Sequence, residues 1–352
     1  MQSDIKPSRA RRGSRGRKGN KRANATGLQQ IAWQVPKNTD TPIAPLPPEG
    51  VAAIHHTAMR ILEEVGVEFL NLEAVDTLRQ AGCTILNETR DGALVKMDRA
   101  FVMDKIAHAP AKFLITPRNL DRQIIIGGQN MVFGSIASPP NCSDLDRGRR
   151  PGDRQSHQDL VKLSQFFNCI HFIGGYPVEP VDSHASVRHL DCLHDQLTLS
   201  DKVVHAYSLG AGRVDDVIEM VRIAGGLTEQ EFAQTPRMFT NINSTSPLKH
   251  DFPMLDGLMR LSRCGQPTIV TPFTLAGAMS PITLAGTVAQ SIAEALCAIV
   301  LIQIINPGCP CAIGTFSSNV DMKTGAPAFG TPEYMRATQM TGQMARFYRL
   351  PL

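Results

Sequence analysis

Aromatic residues are scarce in this sequence, yet several of them fall where β-strands are predicted to end. They make up 5% of the 352 residues, with one Trp and four Tyr. The face of an aromatic ring attracts a cation, so rings beside neutral polar side chains suit a tertiary or quaternary ammonium group. The alternative, that each ring only covers the end of a core, stays open. The rings are Phe133, Tyr176, Tyr207, Phe273 and Phe316, and the polar side chains beside them are Asn241, Asn243, Ser244, Thr271, Thr274 and Thr315.

Ionisable side chains near the same strand ends have two interpretations each. Asp144 and Asp146 follow the first predicted strand and Asp321 follows the sixth, where a carboxylate could hold a cation or accept a proton. The same residues could instead cap loops or pair with neighbouring arginines. His205, inside the third predicted strand, is interpreted first as a hydrogen-bonded core histidine. We predict no catalytic residue, and we predict a substrate-binding set made up of Tyr176, Tyr207, Asn241, Asn243, Thr271, Phe273, Phe316 and Asp321.

One predicted helix contains several potential zinc ligands. His184, His189 and His194 are spaced by five residues, which turns an α-helix by about 500°, so the three cannot share one face. His189 and Cys192 could pair, but no tetrahedral set results. The sequence also has no P-loop, nucleophile elbow or H-E-x-x-H motif. We therefore predict no metal site.

A repeated strand–loop–helix pattern places these residues, and it begins near Asn130. Before it, residues 49–130 are predicted to form a small N-terminal α+β cap, with helices near 49–66, 72–81 and 99–109. Strands are predicted there at 84–86 and 93–97, and a strand pair over 123–133 turns at Gly127-Gly128. In the repeat, the predicted strands are Met131–Phe133, Cys169–Ile173, Val203–Tyr207, Met238–Ile242, Thr268–Phe273 and Cys311–Phe316, and the helices lie near 154–167, 184–199, 213–225, 247–264, 284–305 and 332–347.

Six βα units favour a (β/α)8 TIM-type barrel over an open doubly wound sheet. A nucleotide-binding sheet would have a glycine-rich turn after its first strand, and residues 133–138 do not supply one. A lone Gly210-Ala211-Gly212 after the third strand is not specific. Six strands would leave two unpaired edges, and Leu350-Pro351-Leu352 resembles the start of a seventh. We therefore expect a barrel truncated after about six βα units, with the partial catalytic barrel at 131–352 and its site at the carboxyl ends of the strands.

The positive charge of the chain is concentrated at its start. Residues 1–22 hold nine Lys or Arg and one Asp, which leaves 27 basic and 31 acidic residues in the rest. The segment has no apolar stretch typical of a signal peptide, and its Gly/Ser/Arg composition predicts a disordered tail at 1–28, followed by a Pro-rich linker at 29–48. The mildly acidic remainder argues against a nucleic-acid partner.

The composition also indicates a cytoplasmic protein. The longest apolar run, Ala295–Ile305, is too short to span a bilayer and is predicted to be a buried helix. Eight Cys occur without a CxxC motif and are predicted to be reduced thiols. We expect no membrane partner, and assembly into a homo-oligomer stays open.

Several segments together resemble the trimethylamine:corrinoid methyltransferase family, including its branch of glycine betaine methyltransferases without pyrrolysine. They follow the family's order across about residues 50–352, and the one most similar to it is Thr271–Gly286. The other segments are Ile61–Val67, Ala109-Pro110 with Pro117-Arg118-Asn119, Arg149-Arg150-Pro151 with Asp153, Asn243–Leu248, Ala293-Glu294, Asn306-Pro307-Gly308, Asp321–Gly325 and Pro332-Glu333.

This resemblance implies transfer of a methyl group from a tertiary or quaternary methylated amine, of the trimethylamine or glycine betaine type, to cob(I)alamin on a separate corrinoid protein. It implies that this chain itself binds no cofactor. Positioning the amine is then the main task of the protein. Two alternatives stay open: another barrel enzyme with a phosphate or small-molecule substrate, and a betaine-binding family member without catalytic activity.

Overall fold

The computed structural model describes residues 28–207 and 210–352. The predicted disordered tail at 1–28 lies outside these residues, except for Leu28, which is exposed. The linker 29–48 contains no regular helix or strand until its last residue, and its Lys37 forms an isolated bridge with Asn130.

The region after the linker forms short helices and a small sheet. Helix α1 continues into a π-helical turn, 61–65, which ends at Gly66, where φ is +90°. Asn71 and Asp98 cap α2 and α3 with their side chains, as short polar residues do at helix starts. The elements are α1 Pro48–Arg60, β1 Val67–Phe69, α2 Leu72–Gln80, β2 Thr84–Leu86, β3 Ala93–Lys96 and α3 Arg99–Ile106.

Two antiparallel strand pairs follow. Strands β4 (Lys112–Ile115) and β5 (Ile124–Gly127) pair with each other, so the predicted hairpin turning at Gly127-Gly128 is wrong. Gly127, the last residue of β5, has φ +96°, and a Cβ there would lie 2.5 Å from the carbonyl oxygen of Ala111, so glycine is required. The second pair, β6 (Asn141–Asp144) with β7 (Gly148–Pro151), was not predicted.

A parallel five-stranded sheet with helices between its strands forms the rest of the chain, and this confirms the α/β class. The sheet order is β8–β9–β10–β12–β14, so strands of the repeat lie side by side in chain order. The elements are α4 Arg154–Phe166, β8 Phe172–Gly174, α5 Arg188–Leu199, β9 Val203–His205, α6 Ala211–Gly225, α7 Glu229–Gln234, β10 Met238–Ile242, β11 Lys249–His250, α8 Phe252–Arg263, β12 Thr268–Val270, β13 Leu275–Ala276, α9 Leu284–Ile305, β14 Cys311–Ile313, β15 Ser318–Asn319 and α10 Pro332–Phe347.

The positions predicted for a first and a seventh strand flank this sheet. Gly134 forms a parallel bridge with Phe172 on one side, and the backbone N–H of Ile313 donates to the carbonyl of Pro351 (3.0 Å) on the other. Residues 131–133 do not form a regular strand. Within the described residues the sheet is not closed by hydrogen bonds, so barrel closure stays a prediction.

The predicted helix at 247–264 begins five residues later than expected. Asp251, not Ser246, caps α8, with its carboxylate accepting the N–H of Met254 (3.0 Å). The residues before it form β11, which pairs in parallel with β1, and the Ser246-Pro247 peptide is cis. A pairing partner about 180 residues away decided the local conformation.

Helix α9 lies at the centre of the largest hydrophobic core. It contacts α1, α2 and α3 on one side and α8 and α10 on others, so the N-terminal region and the α/β region share one core. It is the one described helix long and apolar enough to cross a membrane, and 89% of its apolar window is buried inside the protein. The prediction of a buried helix here is confirmed.

Candidate functional site

The parallel sheet has one face covered by helices and a second face that lies away from them. Val204, Ala206 and Met238 share a hydrophobic cluster with residues of α6 and α8. Val203 and Phe239 instead pack with Phe113, Ile115 and Ile124 of the β4–β5 pair. Since side chains alternate along a strand, His205, Tyr207, Asn241 and Thr271 also belong to this second face. The predicted site residues on the strands therefore share one face.

A buried histidine and an asparagine lie together on this second face. The backbone N–H of Asn241 donates to His205 Nε2 (3.2 Å). Burial lowers the pKa of His205 to about 4, so the imidazole is neutral at neutral pH. The Oδ1 atom of Asn241 is buried and has no hydrogen-bond partner among the described residues. The structure thus places the unused acceptor of Asn241 beside the neutral ring of His205. His205 was not among the predicted substrate-binding residues, and we add it to the candidate site.

The two predicted tyrosines meet at the carboxyl ends of β8 and β9. The rings of Tyr176 and Tyr207 are T-shaped with centroids 4.8 Å apart, and His205 lies 5.3 Å from Tyr207. Burial raises the pKa of both phenols, so they stay neutral. Ser138 hydrogen-bonds the Tyr207 hydroxyl, and its N–H donates to the Tyr176 carbonyl (2.6 Å). Gly175 is required here because a Cβ would lie 2.3 Å from the Tyr207 hydroxyl.

The two predicted phenylalanines form a second aromatic group. Phe273 and Phe316 lie 4.9 Å apart by ring centroid, and Phe316 contacts Phe329 at the same distance. Phe329 is half exposed and also contacts Tyr334. Phe133 belongs to neither group, since its ring contacts His171 and its N–H donates to His171 Nδ1 (2.9 Å).

The predicted polar residues divide between the strand ends and a distant turn. Asn243 Nδ2 donates to the carbonyl of Thr271 (2.8 Å), which links the ends of β10 and β12. Asp321 is exposed, and its carboxylate accepts the N–H of Lys323 within its own turn (2.8 Å). Asp144 pairs with Arg147 and Arg150, as the structural interpretation of that carboxylate predicts.

One buried carboxylate holds two loops at the carboxyl edge, and sequence reasoning gave it no role. Glu294 on α9 accepts hydrogen bonds from Ser244, from Ser246 Oγ (2.6 Å) and from the N–H of Leu248 (2.9 Å). Gln290, one turn earlier, donates to Glu294 (2.8 Å) and to the Met279 carbonyl (2.9 Å). Through these hydrogen bonds, helix α9 holds the loop that follows β10 and the loop that contains Met279.

No group of three or more metal-ligating side chains occurs in the part of the chain that the structure describes. In the suspected cluster, His189 Nε2 instead pairs with Asp216 (2.7 Å). All eight cysteines lie in the described part and are free thiols. Burial raises the pKa of Cys192 to about 12, so this thiol is a poor nucleophile at neutral pH.

The chain is similar to a family of methyltransferases. Residues 11–352 match the model of the family described as trimethylamine methyltransferase (MTTB). A glycine betaine methyltransferase of Desulfitobacterium hafniense (strain Y51) is 36% identical over 301 residues, which cover 86% of this chain and 62% of that relative.

Two further relatives are more distant. A trimethylamine methyltransferase MttB of Desulfitobacterium hafniense (strain DSM 10664 / DCB-2) is 27% identical, over 86% of this chain and 60% of the relative. A proline betaine:corrinoid methyltransferase of Eubacterium limosum is 26% identical, over 86% and 62%. The chain thus spans less than two thirds of the length of each of these relatives.

Proposed function

We propose that this chain, which belongs to the trimethylamine methyltransferase family, binds a methylated ammonium substrate and presents one of its methyl groups to a separate corrinoid protein. The observation that supports this most is the set of neutral rings and amides at the carboxyl ends of the parallel strands. Tyr176, Tyr207 and His205 are all in ring contact there, and Asn241 adds an unused acceptor. Such surroundings favour a cation that makes few hydrogen bonds.

The chemistry divides between the two proteins. The corrinoid supplies the nucleophile, a reduced cobalt that accepts the methyl group. The residues of this chain hold and orient the ammonium group and exclude water from it, because no described side chain near the rings is an activated nucleophile. The neutral state of His205, Tyr176 and Tyr207 adds no positive charge that would repel the substrate.

The substrate-binding set keeps seven of its eight predicted members. Asn243, Thr271, Phe273 and Phe316 line the ends of neighbouring strands and extend the site from the tyrosine pair toward the second aromatic group. Asp321 stays a prediction, and its carboxylate accepts the N–H of Lys323 in its own exposed turn.

We further infer a (β/α)8 barrel for the complete fold, with residues 49–130 as a cap and 131–352 as the barrel part. Five adjacent parallel strands in chain order, flanked by Gly134 and Pro351, support the barrel. A cytoplasmic location suits eight free thiols, and assembly into a homo-oligomer is a further proposal.

A quaternary amine such as glycine betaine is the first substrate to test. Its nitrogen has no lone pair and a full positive charge, which activates its methyl groups without a base. Trimethylamine is largely protonated at neutral pH and would need that proton removed first. The rings described here suit the quaternary ion without an added group.

Binding of glycine betaine and of its isostere 3,3-dimethylbutanoate, in which a neutral tert-butyl group replaces the trimethylammonium group, tests the site when measured by calorimetry. Tyr207→Ala or Phe273→Ala should weaken the binding of glycine betaine by about 0.5–2 kcal/mol. Either substitution should weaken the binding of the isostere much less. Phe252→Ala, at a half-exposed ring at the start of α8, is the matched control. Equal losses for both ligands would mean that the rings only pack.

Methyl transfer is followed by the absorbance of a reduced corrinoid protein mixed with the chain and each amine. We expect a change that requires chain, amine and reduced corrinoid together. Turnover without corrinoid, or with S-adenosylmethionine as methyl donor, would contradict the proposal. Activity on trimethylamine alone would contradict only the preference for a quaternary amine.

A further inference from the structure

A fully buried carboxylate without a cationic partner lies beside the proposed ammonium site. Glu294 is 0% exposed and forms no ion pair with any Lys, Arg or His of the described chain. Buried carboxylates are ordinarily paired, because transfer of an unpaired charge from water into the interior is costly. No such partner of Glu294 occurs among the described residues.

Four hydrogen bonds surround the carboxyl group of Glu294. Its Oε1 accepts two N–H groups, from Leu248 and Gln290, and its Oε2 accepts the hydroxyls of Ser244 and Ser246. Amide N–H groups can only donate, so Oε1 is an acceptor twice over. Hydrogen bonds of this kind stabilise a carboxylate, and none of the four partners carries a positive charge.

The titratable side chains next to Glu294 are a histidine and a cysteine. His250 Nε2 donates to the backbone carbonyl of Glu294 (3.0 Å), and burial lowers the pKa of this imidazole, so it is neutral. Cys297 donates its thiol hydrogen to the same carbonyl (3.2 Å), and burial raises its pKa, so it is neutral as well. Neither side chain therefore brings a positive charge to Glu294.

Glu294 is linked to the proposed substrate pocket through the loop that follows β10. Ser244 and Ser246 belong to the loop that follows β10, and Asn243 at its start is a member of the substrate-binding set. Gln290 extends the same network to Met279, in the loop after β13. Both loops border the carboxyl edge of the sheet, where the rings lie.

We propose that Glu294 is the counter-charge of the ammonium substrate. It is a positioning residue that acts on the bound cation across the loop 243–248 and does not touch the cation. This rests on the proposed function. A carboxylate in a poorly polarisable interior attracts a cation over several ångströms, because little solvent screens it. The aromatic rings then supply the contact surface, and Glu294 supplies the opposite charge that neutral rings and amides lack.

The test compares two dissociation constants on the full 352-residue chain, for glycine betaine and for 3,3-dimethylbutanoate. Their ratio reports the preference for positive charge and cancels effects on pocket shape. Glu294→Gln removes the charge and keeps the hydrogen bonds, because the serine hydroxyls can rotate to accept from the new amide. We expect the ratio to fall by roughly 3- to 30-fold. Glu333→Gln, at an exposed carboxylate at the start of α10, controls for net charge.

Glu294→Asp keeps the charge on a shorter side chain and serves also if the Gln variant does not fold. It should keep the wild-type ratio within about threefold even if both affinities fall. The proposal would be overturned if Glu294→Gln lowered the affinity for both ligands equally. It would also be overturned if Glu294→Asp lost the wild-type preference for the cation. A wild-type chain without preference for the cation would overturn both this proposal and the proposed function, whereas a preference that survives Glu294→Gln overturns this proposal alone.

Discussion

The buried imidazole of His205 makes the stability of this protein depend on pH in a defined window. Its pKa in the folded state is lowered to about 4 by burial, against an ordinary value of 6.5. The unfolded chain therefore binds a proton between pH 6.5 and 4 that the folded chain does not. The contribution of His205 to the free energy of unfolding is therefore fully present above pH 6.5 and is lost as the pH falls toward 4.

The size of this effect follows from the width of the window. Each pKa unit corresponds to about 1.4 kcal/mol, so the full window amounts to about 3 kcal/mol of unfolding free energy. Between pH 7.5 and 4.5 the expected loss from this one group is about 2.5 kcal/mol. His157 and His250 have pKa values lowered by burial as well, so the total slope of the wild type is steeper.

His205→Gln isolates the contribution. The amide oxygen can replace Nε2 as acceptor for the N–H of Asn241, and glutamine does not titrate. Urea unfolding followed by the fluorescence of Trp33, the single tryptophan, gives the free energy at each pH. The stability difference between wild type and variant should shrink by about 2.5 kcal/mol from pH 7.5 to 4.5. The exposed His108→Gln is the control.

A pH-independent difference would refute this reasoning. It would mean that His205 is not desolvated in solution, or that it finds a proton acceptor in the folded state that keeps its pKa near 6.5. A difference that grows on acidification would reverse the sign and would mean that the charged imidazole stabilises the fold.

Further substitutions test the local packing and the capping of a helix. Gly314→Ala should destabilise the protein by about 1–3 kcal/mol, because its Cβ would lie 2.0 Å from Thr271 Oγ1, whereas Gly212→Ala, with open space around it, should be neutral or stabilising in thermal unfolding. No loss in Gly314→Ala would show that the ends of β12 and β14 can move apart. Thr228→Ala should cost about 1 kcal/mol by removing the capping box that Thr228 forms with Glu231, and an equal cost in a chain that already has Glu231→Ala would disprove that coupling.

Local patterns in the sequence predicted part of the fold accurately. Strand β10 and helices α9 and α10 have the predicted bounds, and both helices begin at threonine caps that the sequence shows directly, Thr283 and Thr331. The start of α8 was predicted wrongly because Lys249 and His250 pair with Glu68 and Phe69, far away in the chain. Pairing between distant segments has no local signature.

The candidate site, like the fold, could be predicted from the sequence only in part. The sequence placed Tyr176 and Tyr207 correctly at neighbouring strand ends, since parallel strands end at one edge. It could not indicate that His205 is neutral, because this depends on its burial and on the N–H of Asn241. It also could not assign Glu294, whose hydrogen-bond partners lie about 50 residues earlier.

The central position of α9 has a consequence for synthesis on the ribosome. The apolar surfaces of α1, α2 and α3 pack against this helix, which begins about 180 residues after α3 ends. At roughly 5–20 residues per second, these surfaces stay uncovered for about 10–35 s before α9 is made. The nascent chain is thus a substrate for chaperones during that interval, and a slower ribosome between codons 107 and 283 would lengthen its exposure to aggregation.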